Sequence, residues 1–194
     1  MASAQQKPRC GWCDSSDLYR QYHDEEWGVP LTQAQSLFRL LMLEGQQAGL
    51  SWITVLKKRA HMDLVFSRFD IDFLATEGAE RIDEWLQDPG IIRHRGKLEA
   101  LVGNAQLAQA MPDFSEWLWS FPAAQARPPS VPVPAETVES QAMSKALKKA
   151  GFRFVGPTIC YAFMQSAGMV NDHDPNCWRY AACERAVRKA LKAR

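Results

Sequence analysis

No apolar run in this 194-residue chain approaches the ~18 residues that a bilayer span requires, and the opening stretch MASAQQKPRC has no hydrophobic segment of the kind that directs export. A soluble, cytoplasmic protein with no membrane partner is therefore expected. Cysteine is scarce and odd in number. Five thiols in a chain without an export signal argue against a disulfide framework and fit reduced thiols, some of them metal ligands. Strand patterning is missing too: no clean alternation of apolar and polar residues is sustained anywhere, and no internal repeat is visible. What is present is a globular composition, 46% hydrophobic and 23% charged, in a chain long enough to bury roughly 70% of its unfolded surface. One all-α domain over residues 1–194, most simply a monomer, is the expectation.

Net charge is almost absent at +1, yet it divides unevenly along the chain. Residues 1–140 carry 13 Lys/Arg against 19 Asp/Glu, whereas residues 141–194 carry 10 against three. The basic residues of that second part fall mainly in two groups: Lys145, Lys148, Lys149 and Arg153, then Arg185, Arg188, Lys189, Lys192 and Arg194 in a tail over about 184–194. Such an end suits a polyanion-binding face, through counterion release, or simply a solvated helix face and a frayed terminus.

Helical periodicity fills most of the rest. Thr32 with Gln35 reads as a capping box for a helix from Gln33, with Leu37, Leu40, Leu41 and Leu43 as its apolar content. A second helix is expected from Ser51 to about Arg59, followed by helical stretches at Leu64–Phe69, Ile71–Leu74 and Ile82–Leu86. Gly90 breaks the pattern before helices at about Arg95–Met111 and Phe114–Phe121. Residues 122–140 hold five of the eleven prolines and read as an extended surface loop. Helices over Ser140–Ala150 and Pro157–Gly168 then flank a turn at Gly151–Gly156.

Three constellations carry chemistry. Cys10 and His23 near one end, with His173 and Cys177 near the other, make a tetrahedral donor set suited to zinc; four protein ligands leave no place for water, so the ion would be structural. Cys13 is a rival partner for Cys10, and Cys183 a rival fourth ligand. Between the two late helices, Gly151 suits a helix C′ position and Pro157 a first helical turn, so the pair reads as a helix-hairpin-helix. Backbone N–H groups after Gly156, with Lys148, Lys149 and Arg153 around them, would make a phosphate site; an ordinary packing unit is the plainer reading. Finally, Glu44 lies three, four and seven residues after Leu41, Leu40 and Leu37, on their apolar face, where a carboxylate costs several kcal/mol unless paired. With Trp12, Tyr19, Tyr22, Trp27 and Trp52, it suits a flat cationic heterocycle; a boundary glutamate among core aromatics is the alternative.

The blocks CGW (10–12), YHDEEWGVP (22–30), LEGQQAGLSWITVLKKR (43–59), GIIRHRGK (90–97), SKALKKAGFRFVGPTICYAFMQ (144–165) and VNDH (170–173) closely resemble the DNA-3-methyladenine glycosylase I family. The resemblance covers about residues 10–177. It implies an all-α helix-hairpin-helix glycosylase that releases 3-methyladenine from alkylated double-stranded DNA in base excision repair, with no cofactor in the chemistry. It selects Cys10, His23, His173 and Cys177 as ligands of one structural zinc, leaving Cys13, Cys160 and Cys183 as bystanders. It assigns the base pocket to Trp12, Tyr19, Tyr22, Trp27, Glu44 and Trp52, with Glu44 as the one catalytic candidate. Contacts to the DNA backbone are expected from Lys148, Lys149, Arg153, Gly156 and Thr158.

Two departures shape the expected mechanism. Many superfamily members carry an Asp shortly after the hairpin that supports the sugar cation; Asn171 is expected in that place, with Asp172 adjacent. Lyase members use a Lys early in the second hairpin helix, and Gly156-Pro157-Thr158-Ile159 has none, so base release without strand cleavage is expected. The hairpin Phe152-Arg153-Phe154-Val155-Gly156 also lacks the paired glycines common in the superfamily. Methylation at N3 leaves the glycosidic bond already weak, so a flipped base stacked on Trp52 and read by Glu44 and a tyrosine needs little further activation. The competing class is a non-catalytic zinc-stabilised DNA-binding module. A zinc hydrolase is disfavoured because four protein ligands close the metal site.

Overall fold

The computed structural model describes residues 7–121 and 132–193. Nine α-helices and no strand lie among them, in agreement with the all-α expectation: α1 Asp17–Glu25, α2 Ala34–Gln47, α3 Trp52–Val65, α4 Ile71–Trp85, α5 Arg95–Gln109, α6 Phe114–Trp119, α7 Val138–Lys149, α8 Pro157–Ser166 and α9 Tyr180–Lys192. No helix among the described residues is long and apolar enough to cross a membrane. These residues form two compact units, neither continuous in sequence: a first unit of residues 7–30, 132–134 and 164–193, and a second of residues 31–121 and 135–163.

Helix starts follow local chemistry. Ser16 accepts from Tyr19 N–H at the start of α1, and Asp70 accepts from Phe73 N–H at 2.8 Å at the start of α4. Thr137 and Ser140 exchange side-chain and backbone hydrogen bonds as a reciprocal capping box on α7, which therefore begins at Val138, inside the stretch expected as loop. Of that stretch, residues 122–131 lie outside the described residues and 132–137 are irregular. The tail expected over 184–194 is also largely helical: α9 buries Cys183 and Val187, and Glu184 pairs with Arg188 at 2.7 Å. Its last residue, Arg194, lies outside the described set.

The capping box expected at Thr32 and Gln35 does not form. No side chain caps α2 at Gln33. Gln35 instead donates to Phe69 C=O at 2.6 Å and accepts from Ile71 N–H, holding a turn in which Ser67, Arg68 and Phe69 all have φ of 48–59°. Three consecutive non-glycine residues in the left-handed region are costly, and the glutamine satisfies backbone groups that no helix can reach there. The turn separates α3 from α4 and drives Phe66 and Phe69 into the second unit's core, where Phe66 meets Trp85 edge-on at 5.0 Å. Ile71–Leu74 and Ile82–Leu86, expected as separate stretches, belong to the single helix α4, which packs on α5. Gly78 allows the approach, because a Cβ there would stand 2.8 Å from Val102 Cγ2.

In the first unit, Gly168 ends α8 with φ +64, and a Cβ at this position would fall on the Val29–Pro30 backbone. Gly168→Ala is therefore expected to destabilise the protein by about 2–3 kcal/mol, seen as a lower urea midpoint at unchanged slope.

Candidate functional site

In the first unit, Cys10, His23 and Cys177 each bring one ligand atom within 4.8 Å of the others, and all three are buried. Cys177 Sγ stands 3.4 Å from His23 Nε2. This set can hold a metal ion. Cys13 is not part of it, since its thiol donates to Cys10 C=O at 3.1 Å. His173, the fourth expected ligand, is not in the mutually close set, yet its ring centroid lies 5.1 Å from that of His23 and its buried Nε2 lacks a hydrogen-bond partner.

The surroundings prepare these four side chains as donors. Asn171 donates to Tyr180 C=O and to the Glu184 carboxylate, each at 3.1 Å, which turns its Oδ1 toward His173. His173 Nδ1 lies 3.0 Å from that oxygen and so carries the proton, leaving the Nε2 lone pair for a cation. His23 is oriented in the same way by Asp24, 2.8 Å from its Nδ1. Asp174 N–H points at Cys10 Sγ and Arg179 N–H at Cys177 Sγ, at 3.2 and 3.4 Å. Burial above all, then the charges of His23 and Arg179, pushes His173 down to about 3 and keeps it neutral. Burial pushes the Cys10 thiol up to about 12, so its ligand form, the thiolate, requires a cation beside it. An orphaned imidazole nitrogen, two thiols with N–H donors and two oriented histidines fit a soft-donor metal site.

The aromatic residues expected around a base adjoin this cluster. Trp12, at 40% exposure, meets Tyr19 at 5.6 Å, Tyr22 at 6.4 Å and Trp27 at 5.0 Å between ring centroids. It also meets His23 edge-on, while Trp27 lies over His173 at 4.5 Å. Four of the six expected base-pocket residues are thus brought together in the first unit, with the rings of Trp12 and Trp27 resting on the two histidines. Tyr22 is fixed further by its hydroxyl, 2.9 Å from Ser166 Oγ.

Glu44 and Trp52 belong to the second unit. Glu44 sits in the last turn of α2, buried to 2% exposure on the face that also buries Leu37, Leu40 and Leu41. Trp52 opens α3 after the turn that follows, where Gly49 takes φ +77.

The second unit also contains the turn expected between the two late helices. α7 ends in a Schellman motif: Phe152 N–H bonds Leu147 C=O and Gly151 N–H bonds Lys148 C=O, both at 3.0 Å, with Gly151 at φ +101. The chain then turns through Phe154, φ +57, and enters α8 at Pro157, where Thr158 and Ile159 hold N–H groups that no α-helix can satisfy internally. Lys148, Lys149, Arg153 and Thr158 are exposed around this turn and Gly156 is half-buried. Two residues that sequence patterning does not single out pin it: Asn104 of α5 bonds both N–H and C=O of Arg153, and Ser144 of α7 donates to Val155 C=O at 2.6 Å. Lys97 of α5 does the same for a different turn, the one after α2. It is 5% exposed and donates to Gln46 and Ala48 C=O at the end of α2.

Comparison with known proteins finds a match to the methyladenine glycosylase family model over residues 12–180. DNA-3-methyladenine glycosylase 1 of Escherichia coli is 49% identical over 180 residues, 89% of this chain and 96% of that protein. A crystal structure of a 3-methyladenine DNA glycosylase I superimposes with a TM-score of 0.83 at 48% identity, covering 88% of this chain and 98% of the other. A Staphylococcus aureus structure described as the basis of 3-methyladenine recognition superimposes with a TM-score of 0.81 at 36% identity, covering 89% and 96% of the two chains.

Two outcomes follow from the donor cluster. Asn171→Ala should free His173 to change tautomer and lower metal affinity by ~10–100-fold, measured by chelator competition. Asp24 feels the upward pull of burial, but hydrogen bonds from Arg9, His23 and Trp178 outweigh it and hold the carboxyl well below the usual range. A depressed folded value contributes stability that is complete above about pH 4, the unfolded value, and is lost as pH falls toward the folded one. Asp24→Asn should therefore flatten the acid side of the stability curve while lowering stability at neutral pH, measured by urea unfolding across pH.

Proposed function

The chain belongs to the methyladenine glycosylase family and is a DNA glycosylase, and on that premise we propose that it excises 3-methyladenine from alkylated double-stranded DNA. The observation that carries this reading is Glu44: a carboxylate at 2% exposure on an apolar helix face, one short turn before Trp52, in a chain matched to that family over residues 12–180. Such a group is costly to bury and suits a cationic ligand. The names of the relatives point to the same base.

In this reading the lesion is flipped out of the duplex and stacked on Trp52, with Glu44 reading its edge; Trp12, Tyr19, Tyr22 and Trp27 of the first unit are carried over as base-binding candidates on the resemblance alone. Flipping costs a few kcal/mol, less for a damaged and weakly paired base, and that difference contributes selectivity. N3-methyladenine carries a formal positive charge and leaves without prior protonation. The bond between sugar and base breaks with its electron pair going to the base, and water captures the oxocarbenium ion. Asn171 lends its amide to His173, Tyr180 and Glu184, and Asp172 accepts from Gln165 at 2.8 Å, so both side chains have structural partners. A base that is already a good leaving group reduces the need for a carboxylate beside the sugar. With no Lys in Gly156-Pro157-Thr158-Ile159, the strand is left intact and the enzyme is monofunctional.

The α7–α8 pair acts as a helix-hairpin-helix, with Lys148, Lys149, Arg153, Thr158 and the backbone after Gly156 facing phosphates. The metal in this reading is one structural zinc, with Cys10, His23, His173 and Cys177 as its ligands. When bound, zinc would stabilise the fold and supply no chemistry, because four protein donors leave no position for water.

Duplex DNA methylated at adenine N3 provides the test. Free base should appear, with strand breaks only after alkali; folded, metal-loaded protein that binds DNA and releases no base would instead be a binding module. Glu44→Gln should lower kcat/KM by about 10–100-fold, the value of a hydrogen bond to a charged group. Removing Lys148 and Lys149 should weaken binding to all duplexes alike and reduce the slope of log affinity against log salt by about one per lysine.

A further inference from the structure

Two buried polar residues on one face of α5 each hold a different turn of the second unit. Lys97 and Asn104 are seven residues apart, so they project from the same side of the helix. Both are nearly inaccessible, at 5% and 2% exposure. The Lys97 ammonium donates to Gln46 and Ala48 C=O at 2.7 Å each, binding carbonyls that the end of α2 leaves without partners. The Asn104 amide accepts from Arg153 N–H at 2.9 Å and donates to Arg153 C=O at 3.0 Å, gripping the two peptide groups that flank one residue of the turn.

The gripped peptides are functionally placed. Gln46 and Ala48 stand just after Glu44 and before Trp52. Arg153 precedes Phe154, whose φ of +57 is one a phenylalanine adopts only when its surroundings impose it. The two turns also touch: a Cβ on Gly45 would stand 3.3 Å from Phe154 C=O. Gly45, Gln46, Arg153 and Phe154 line one small cavity with Lys97 and Asn104.

We propose that Lys97 and Asn104 are positioning residues that hold the turn after α2 and the α7–α8 hairpin in one frame. The hairpin's grip on the DNA backbone then fixes where the residues following Glu44 stand. Asn104 does by hydrogen bonding what a glycine does elsewhere in such hairpins by conformational freedom: it keeps the backbone at 154 left-handed. The inference rests on the glycosylase reading above and adds to it the two residues that connect its backbone contacts to its base contacts.

Asn104→Leu keeps the volume and removes both hydrogen bonds. It should raise KM for methylated duplex about tenfold while kcat and fluorescence-detected binding of free 3-methyladenine stay within about twofold. Phe154→Gly removes the conformational cost, so the double variant should regain most of the lost KM. Ser144→Ala, a milder loss at the same hairpin, should raise KM about threefold and serves if Asn104→Leu does not fold. Lys97→Met should do the reverse, lowering kcat and free-base binding about tenfold with affinity for undamaged duplex unchanged. Normal KM in folded Asn104→Leu or Ser144→Ala, or no recovery in the double variant, overturns the proposal while leaving the glycosylase reading intact. Failure of the unaltered protein to release base from methylated duplex overturns both.

Discussion

The first unit depends on a junction between residues far apart in sequence. Cys10 and His23 meet Cys177 in one buried cluster with the His173 ring packed against His23, and hydrogen bonds run alongside: Trp178 N–H to Pro8 C=O, Trp178 Nε1–H to Asp24, and Asp174 N–H to Cys10 Sγ. Closing so long a loop carries an entropic cost that no single contact offsets. Several contacts, an aromatic layer and a set of side chains able to hold a metal ion act on the same few residues, and Trp12 and Trp27 take their positions from the histidines they rest on. Aromatic surface and donor cluster are therefore one construction.

The second unit meets a different constraint, the satisfaction of exposed backbone at turns. The hairpin has one glycine at its Schellman position, but Phe154 takes a left-handed conformation without being one. Side chains from α5 and α7 compensate. The turn at Ser67–Phe69 repeats the arrangement, with Gln35 as the partner. In each case a buried or half-buried amide reaches across tens of residues to hold a backbone that local sequence does not favour.

Much of this was legible in the residues. Most helix locations followed from apolar spacing, although the stretch Leu64–Phe69, expected to be helical, ends α3 and turns left-handed at Ser67–Phe69; the Glu44 burial followed from its register with Leu37, Leu40 and Leu41, and the turn between the late helices from Gly151 and Pro157. The donor residues could be named from their chemistry, though not their pairing across the chain. What spacing could not reveal were the long-range side chain to backbone bonds. Gln35 looked like half of a capping box, because S/T-x-x-E/Q is a local pattern and its actual partners lie more than thirty residues away. Asn104 and Lys97 sit within helical stretches where Asn and Lys are ordinary surface residues. Asn171 invited comparison with a catalytic position, whereas its amide orients His173. Each missed role depends on a partner that only the tertiary structure brings into reach.

The division of the chain also bears on how the protein is made. Residues 31–121 and 135–163 of the second unit emerge from the ribosome before the last part of the first, which needs residues 164–193. The N-terminal segment, with Cys10 and His23 and with Trp12 exposed and Tyr19 half-buried, must therefore wait unpartnered through most of synthesis. At the elongation rates of living cells that interval is on the order of ten seconds, long enough for oxidation or miscapture of Cys10 and Cys13 to compete with folding. A chain that stops between His23 and His173 carries Cys10 and His23 without Cys177 or His173, and so lacks the contacts that close the first unit.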